Sequence, residues 1–183
     1  MFITFDDGPH PEITPAALDI LDQYQASATF FCVGQNVERY PETYHEILRR
    51  KHSTGNHTFN HLNAWKVPKE EYFQNVDKCT QYVDSHLFRP PYGRIGLKHI
   101  RHLKRNYSIV MWSVLSLDFD PRVTPEKCLD NCLRYMKAGS ILIFHDSQKA
   151  SSNMLYALPR FIEYFKSKGY TFPALTNDQL TTR

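Results

Sequence analysis

Four short stretches of this 183-residue chain carry residue types that do chemistry. The first is Asp6-Asp7, two adjacent carboxylates in a breaker-rich turn, Asp6-Asp7-Gly8-Pro9-His10-Pro11. Neighbouring carboxylates repel unless a cation lies between or beside them, so the pair asks for a metal or a basic partner. The second is His57 and His61, with H-x-x-x-H spacing. On a helix they would lie one turn apart on one face, within reach of one ion. Thr58 follows His57, so this is not the H-E-x-x-H motif, and a third ligand and a base must come from elsewhere. The third is Arg89-Pro90-Pro91-Tyr92-Gly93, where two prolines fix the backbone and remove donors, leaving the Tyr92 amide to point at a ligand. The fourth is His145-Asp146, closing the apolar run Ile141 to Phe144. A histidine at such a place is a candidate general acid or base. Each stretch also has a plainer reading: a solvated turn, a chance histidine pair, a strand terminator, a structural histidine.

The elements that must position these residues alternate along the chain. Met1 to Phe5, Ala28 to Val33, the short run from Phe88, Tyr107 to Val114, and Ser140 to Phe144 read as buried strands. Helices are expected from Thr14-Pro15 (Thr as N-cap), over Pro41 to Lys51, Pro68 to about His86 and Gly96 to Arg105. Two more are expected from Thr124-Pro125 to Gly139 and over about Asn153 to Lys168, the last containing Pro159. His52 to His61 reads as a polar connection. Strands alternating with helices argue for an α/β architecture with parallel strands, whose active sites collect at the carboxyl ends of the strands. Three of the stretches fit that placement: Asp6-Asp7, Arg89 to Tyr92 and His145-Asp146 each follow an expected strand.

Composition sets the outer limits. A length of 183 residues suits one domain, 1–183, with a sizeable core. The 22 basic and 19 acidic residues leave a net charge of +3 with no basic block, so nucleic acid is not an expected partner. No apolar run is long enough for a membrane-spanning helix. Cys32, Cys79, Cys128 and Cys132 form no C-x-x-C pair and read as buried small hydrophobes, which suits a reducing compartment. As written the chain carries no signal peptide and reads as cytoplasmic, or as an envelope or secreted protein if its N-terminus was trimmed. A monomer is favoured. Asn56-His57-Thr58 and Asn106-Tyr107-Ser108 match the N-glycosylation pattern, but a glycan on Asn56 would block the histidines, so both read as accidental.

Taken together, these stretches resemble the polysaccharide deacetylases, the NodB-homology group of carbohydrate esterase family 4. Thr4-Phe5-Asp6-Asp7-Gly8-Pro9, His57-Thr58-Phe59-Asn60-His61, Arg89-Pro90-Pro91-Tyr92-Gly93 and Ile143-Phe144-His145-Asp146 match its first, second, third and fifth signatures in order. The resemblance covers almost the whole chain. It implies a distorted (β/α) barrel of the NodB-homology type. It implies that Asp7, His57 and His61 hold one divalent metal, most often Zn2+, with Co2+, Ni2+ or Mn2+ as alternatives. Asp6 would be the general base oriented by Arg89, and His145 the general acid for the leaving amine. The Tyr92 amide would help form the oxyanion hole, with Pro91, Phe119 and Ile143 on the substrate-binding side. The implied activity is metal-dependent release of acetate from an N-acetylglucosamine-containing poly- or oligosaccharide.

The chain departs from the family at two places. In the fourth signature, Trp112-Ser113-Val114-Leu115-Ser116-Leu117-Asp118-Phe119, Leu115 stands where an Asp that tunes the acid histidine is expected, and Phe119 replaces Trp. Asp118 or Asp146 is then the expected partner of His145. The chain also starts closer to its first strand than relatives do. Two rival functions follow: hydrolysis of small cyclic amides on the same fold, and glycan binding without catalysis. The loops Asn63 to Lys69 and Phe119 to Thr124 are the expected seats of substrate choice.

Overall fold

The computed structural model of the protein describes residues 1–176. Seven strands, β1 (Phe2–Asp6), β2 (Ala28–Cys32), β3 (Ser53–Asn56), β4 (Leu87–Phe88), β5 (Ser108–Ile109), β6 (Val114–Leu115) and β7 (Ile141–His145), form one sheet. The order is β5-β4-β3-β2-β1-β7-β6, and every pairing is parallel. Between the strands run α1 (Ile13–Gln23), α2 (Gly34–Arg39), α3 (Pro41–Arg49), α4 (Lys69–Cys79), α5 (Leu97–Leu103) and α6 (Pro125–Arg134), with α7 (Ser151–Lys166) at the end. No helix among the described residues is long and apolar enough to cross a membrane.

The stretch read as one strand, 107–114, is two, and the division shows how the sheet curls. Ser108–Ile109 pairs with β4 at one edge, while Val114–Leu115 pairs with β7 at the other. In a flat seven-stranded sheet those edges would stand roughly 29 Å apart, six spacings of about 4.8 Å. The five steps from Ile109 to Val114 span at most about 18 Å. The sheet therefore bends until residues 110–113 bridge its mouth, with Val110 N–H donating to the Phe88 carbonyl and Ser113 N–H to that of Ile141. The result is the distorted, incompletely closed (β/α) barrel that the family resemblance implied.

The core lies between the central strands and α1, α6 and α7. Phe5 stacks on Phe30 at 4.7 Å and on Phe144 at 6.0 Å. All four cysteines are buried free thiols, as expected of small hydrophobes.

Several local expectations need correcting. β3 was not visible in the sequence because Ser53-Thr54-Gly55-Asn56 has no strand-like side chains. Gly55 is required there by packing, since a Cβ would lie 2.4 Å from the Phe31 ring. Thr14 does not cap α1. The helix begins at Ile13, and the buried Thr14 hydroxyl accepts from the His10 amide (2.8 Å) and donates to Asp146 (2.5 Å). Thr124 does cap α6, accepting from the Lys127 amide. The helix expected to reach His86 stops at Cys79, and α7 runs through Pro159 from Ser151.

Candidate active site

Every strand that supplies the site delivers its residues at its carboxyl end. Asp6 is the last residue of β1 and is in register with His145, the last of β7. His57 follows β3, Arg89 follows β4, and Asp118 lies three residues beyond β6. Because all strands are parallel, these ends converge on one rim. There they line a cleft of about 330 Å³ walled by Asp6, Asp7, His57, His61, Tyr92, Arg94, Trp112, Leu115, Phe119, Ile143, His145 and Lys149.

The histidine pair is presented by a loop rather than a helix. Thr58 and His61 have left-handed backbones (φ 63° and 58°). Buried Asn56 ties this loop down, donating to the Val76 carbonyl (3.0 Å) and accepting from the Thr58 amide (2.9 Å). Its complete burial also leaves no room for a glycan. The His57 and His61 rings stand 5.1 Å apart. Asp7 has φ 82° and its carbonyl accepts from Asn36, which turns its carboxylate toward both histidines. Its Oδ1 is 3.1 Å from His61 Nε2 and 3.8 Å from His57 Nε2.

This donor set fits a divalent ion. One ligand atom from each of Asp7, His57 and His61 lies within 4.8 Å of the others. The Arg89 carbonyl can only accept, so the 2.8 Å bond to His57 Nδ1 places the proton there and leaves the Nε2 lone pair facing Asp7. Burial, opposed by Asp6, lowers the His57 pKa to about 4, so the ring is neutral at pH 7. His61 Nδ1 is 3.1 Å from the Tyr92 hydroxyl, which fixes the second ring. Burial raises the Asp7 pKa, but the His61 hydrogen bond and the charges of His145, His57 and His61 outweigh it and hold the carboxyl well below its usual range. Two imidazoles and one carboxylate form a set with open positions for water and substrate.

Beside this triad lies a buried ion pair. Arg89 is fully buried and donates from Nη1 to Asp6 Oδ1 (2.7 Å) and Thr4 Oγ1 (2.7 Å), and from Nε to the Val110 carbonyl (3.1 Å). Asp6 Oδ2 remains 3.7 Å from His57 Nε2. Thr4 is a site residue not singled out above, and its signal in the sequence is a polar side chain inside a buried strand.

On the opposite wall His145 Nδ1 meets Asp118 Oδ1 at 2.8 Å, and the His145 amide donates to Asp118 Oδ2 at 2.7 Å. Burial alone lowers the His145 pKa. The hydrogen bond and charge of Asp118, with the charges of Asp7 and Asp6, overcome it and raise the pKa to about 9. Of the two carboxylates proposed as partners, the structure selects Asp118 and removes Asp146. The Asp146 carboxylate faces away, accepting from the Gly8 amide (3.0 Å) and Thr14, and burial lifts its pKa to about 7. Leu115 instead lines the cleft with Ile143 and Phe119 as an apolar surface. The Phe119 ring meets His145 edge-on at 4.9 Å.

The Arg89-Pro90-Pro91-Tyr92-Gly93 turn carries two consecutive left-handed residues, Tyr92 (φ 61°) and Gly93 (φ 65°). Gly93 must lack a side chain because a Cβ would meet Trp112 at 2.5 Å. The Tyr92 N–H has no acceptor among the described residues. Pro91 is buried in the turn behind Tyr92 and is not a wall of the cleft. Trp112, Arg94 and Lys149 line the cleft without having been singled out from sequence.

The curled parallel barrel, with a two-histidine, one-carboxylate triad at its carboxyl rim and a carboxylate and an imidazole flanking it, defines a class of hydrolytic site. Comparison with known proteins narrows that class. The polysaccharide deacetylase family profile matches residues 1–108. A peptidoglycan-N-acetylglucosamine deacetylase of Bacillus cereus is 36% identical over 180 residues, covering 93% of this chain and 83% of that protein. A chitooligosaccharide deacetylase of Azorhizobium caulinodans is 34% identical over 155 residues, covering 80% and 73%. A solved peptidoglycan N-acetylglucosamine deacetylase superposes with a TM-score of 0.90 at 33% identity, covering 95% of this chain and 85% of that one. The chain belongs to the polysaccharide deacetylase family.

Proposed function

We propose that this protein removes N-acetyl groups from an N-acetylglucosamine-containing glycan, releasing acetate and leaving a free amine. One observation carries the reading. A buried, Arg89-held Asp6 and an Asp118-held His145 flank the Asp7/His57/His61 triad across one cleft. Amide hydrolysis needs a base for the attacking water on one side and an acid for the departing nitrogen on the other.

Asp7, His57 and His61 would hold a divalent ion, zinc by the softness of the donor set, and such an ion acidifies water and polarises a carbonyl. The chain's own residues supply the rest. Arg89 occupies Asp6 Oδ1, so Oδ2 is the oxygen free to take a proton from the attacking water. The water oxygen bonds to the acetyl carbon as that proton leaves. The Tyr92 N–H donates to the oxygen on which negative charge develops. His145, with Nδ1–H engaged by Asp118, gives its Nε2 proton to the nitrogen as the C–N bond breaks. Leu115, Ile143 and Phe119 give the acetyl methyl an apolar surface. The products are acetate and the amine.

The test is acetate release from N-acetylglucosamine oligomers by metal-stripped protein, with and without zinc, beside the Asp6→Asn variant. Zinc-dependent release that disappears in the variant is expected. Release from small cyclic imides but not from sugars would favour the first rival. Binding of the oligomers without release under any metal would favour the second.

A further inference from the structure

A second groove lies between α4 and α5, and nothing in the catalytic reading uses it. It encloses about 330 Å³ and is lined by Lys69, Phe73, Lys98, Arg101, His102 and Arg105, with no acidic residue. The segment 85–117 contains no Asp or Glu, yet it holds Arg89, Arg94, Lys98, Arg101, Lys104 and Arg105. The modest net charge of +3 therefore hides a local concentration of cations. Lys98, Arg101, His102 and Arg105 make no ion pair or side-chain hydrogen bond among the described residues, and only Lys69 has a partner, Glu70 at 3.4 Å.

Helix electrostatics accounts for only part of this. Arg101 and His102 sit in the last turn of α5, where cations are favoured. Lys69 opens α4 and Lys98 is the second residue of α5, positions where the helix dipole disfavours positive charge. Like charges facing across a groove add to that cost. An anion between them relieves both.

Two short chain segments link the groove to the catalytic cleft. Arg94 lines the cleft, and its guanidinium lies 5.2 Å from the ring of Trp65, which is 65% exposed. From this pair the chain runs on each side to the groove, Trp65 to Lys69 and Arg94 to Lys98. Four residues reach at most about 14 Å. An extended polymer with one unit in the cleft can pass over the Trp65–Arg94 pair and bring its next units onto the cations. The one aromatic in the groove, Phe73, is already stacked on His102 (4.0 Å, 18°) and offers little free face for a nucleobase.

We propose that the α4/α5 groove binds anionic groups, phosphate or carboxylate, borne by the same glycan polymer whose N-acetyl group occupies the catalytic cleft. This rests on the deacetylase reading above and narrows its substrate class to a charged polymer.

The test uses the full chain and a triple variant, Lys98→Gln/Arg101→Gln/Arg105→Gln, whose changes are all at exposed positions. Fluorescence anisotropy with labelled tripolyphosphate, a labelled oligogalacturonate and a labelled single-stranded oligonucleotide measures the groove directly. An exposed ion pair is worth a factor of about 1.5 to 5. Removing three should weaken anion binding roughly tenfold, and 1 M salt should abolish the difference between the proteins. Loss for only one of the two small anions supports the proposal and names the group. Equal binding by both proteins overturns it, as does an oligonucleotide held more than roughly tenfold tighter than tripolyphosphate. In the activity arm, the variant should raise KM roughly tenfold on an anionic N-acetylated polymer, with kcat unchanged and neutral oligomers unaffected. Equal losses on neutral and anionic substrates would overturn it. Absence of acetate release from every substrate would defeat the deacetylase reading alone, and the binding arm would still judge the groove.

Discussion

Replacing Asp118 by Asn isolates the part of the site that the sequence left most open. Asp118 holds both the ring and the backbone of His145, and it is the largest of the influences that raise the His145 pKa to about 9 against burial. The step from 6.5 to about 9 corresponds to about 3 kcal/mol of preference for the imidazolium. Asn keeps the shape and removes the charge, so burial offsets the remaining charges of Asp7 and Asp6 and the pKa falls toward the ordinary 6.5. A general acid works only when protonated. At pH 8 the wild-type imidazole is roughly 90% protonated, while one with a pKa near 6.5 is roughly 3% protonated. The variant should thus lose about 30-fold in kcat/KM at pH 8 but less than about twofold, from protonation, at pH 6. The assay is acetate release from an N-acetylglucosamine oligomer between pH 5.5 and 9.5, with zinc held constant. The alkaline limb should move to lower pH and the acid limb should stay. A loss equal at every pH would show that Asp118 only shapes the loop, and an unchanged profile would refute its role altogether. The same shift has a stability consequence. A raised folded-state pKa contributes stability below about pH 6.5 that disappears as pH rises through about 9, so the wild type's advantage over the variant in thermal unfolding should shrink across that window.

Arg89→Met strands Asp6 as a buried unpaired charge and should cost about 3–5 kcal/mol in urea unfolding, with part recovered in the Asp6→Asn/Arg89→Met double variant. No recovery would mean that the two charges do not depend on each other. Zinc at 100 times its dissociation constant should stabilise the folded chain by about 2.7 kcal/mol, read as a rise in Tm, and His61→Ala should abolish most of that rise. An undiminished rise would move the ion elsewhere. Gly55→Ala forces a methyl into the Phe31 ring and should destabilise by about 1–3 kcal/mol, measured as a lower urea midpoint. A neutral effect would mean that β3 can shift away from β2 at little cost.

The site was legible in the sequence to an uneven degree. Asp6-Asp7, His57, His61, Arg89 and His145 were readable because each is a chemically distinctive residue beside a breaker or a strand end. β3 was not, because Ser53-Thr54-Gly55-Asn56 is chosen for what packs on it rather than for strand propensity. The helical spacing of His57 and His61 suggested one way to bring them together, and the chain uses another, a loop with left-handed residues anchored by Asn56. Thr14 showed a helix-start signature, yet its hydroxyl is spent on the buried carboxyl of Asp146.

The alternation of strands and helices, the parallel class and the buried cysteines follow from residue types and local spacing, which are properties of neighbours along the chain, and the family resemblance adds the roles of ligand, base and acid. The choice of Asp118 over Asp146 for His145, the break of 107–114 into two opposite edge strands, and the cationic groove between α4 and α5 follow from neither. Those depend on distances between residues far apart in sequence, and such distances are set only when the parallel sheet curls and its packed side chains admit a single register.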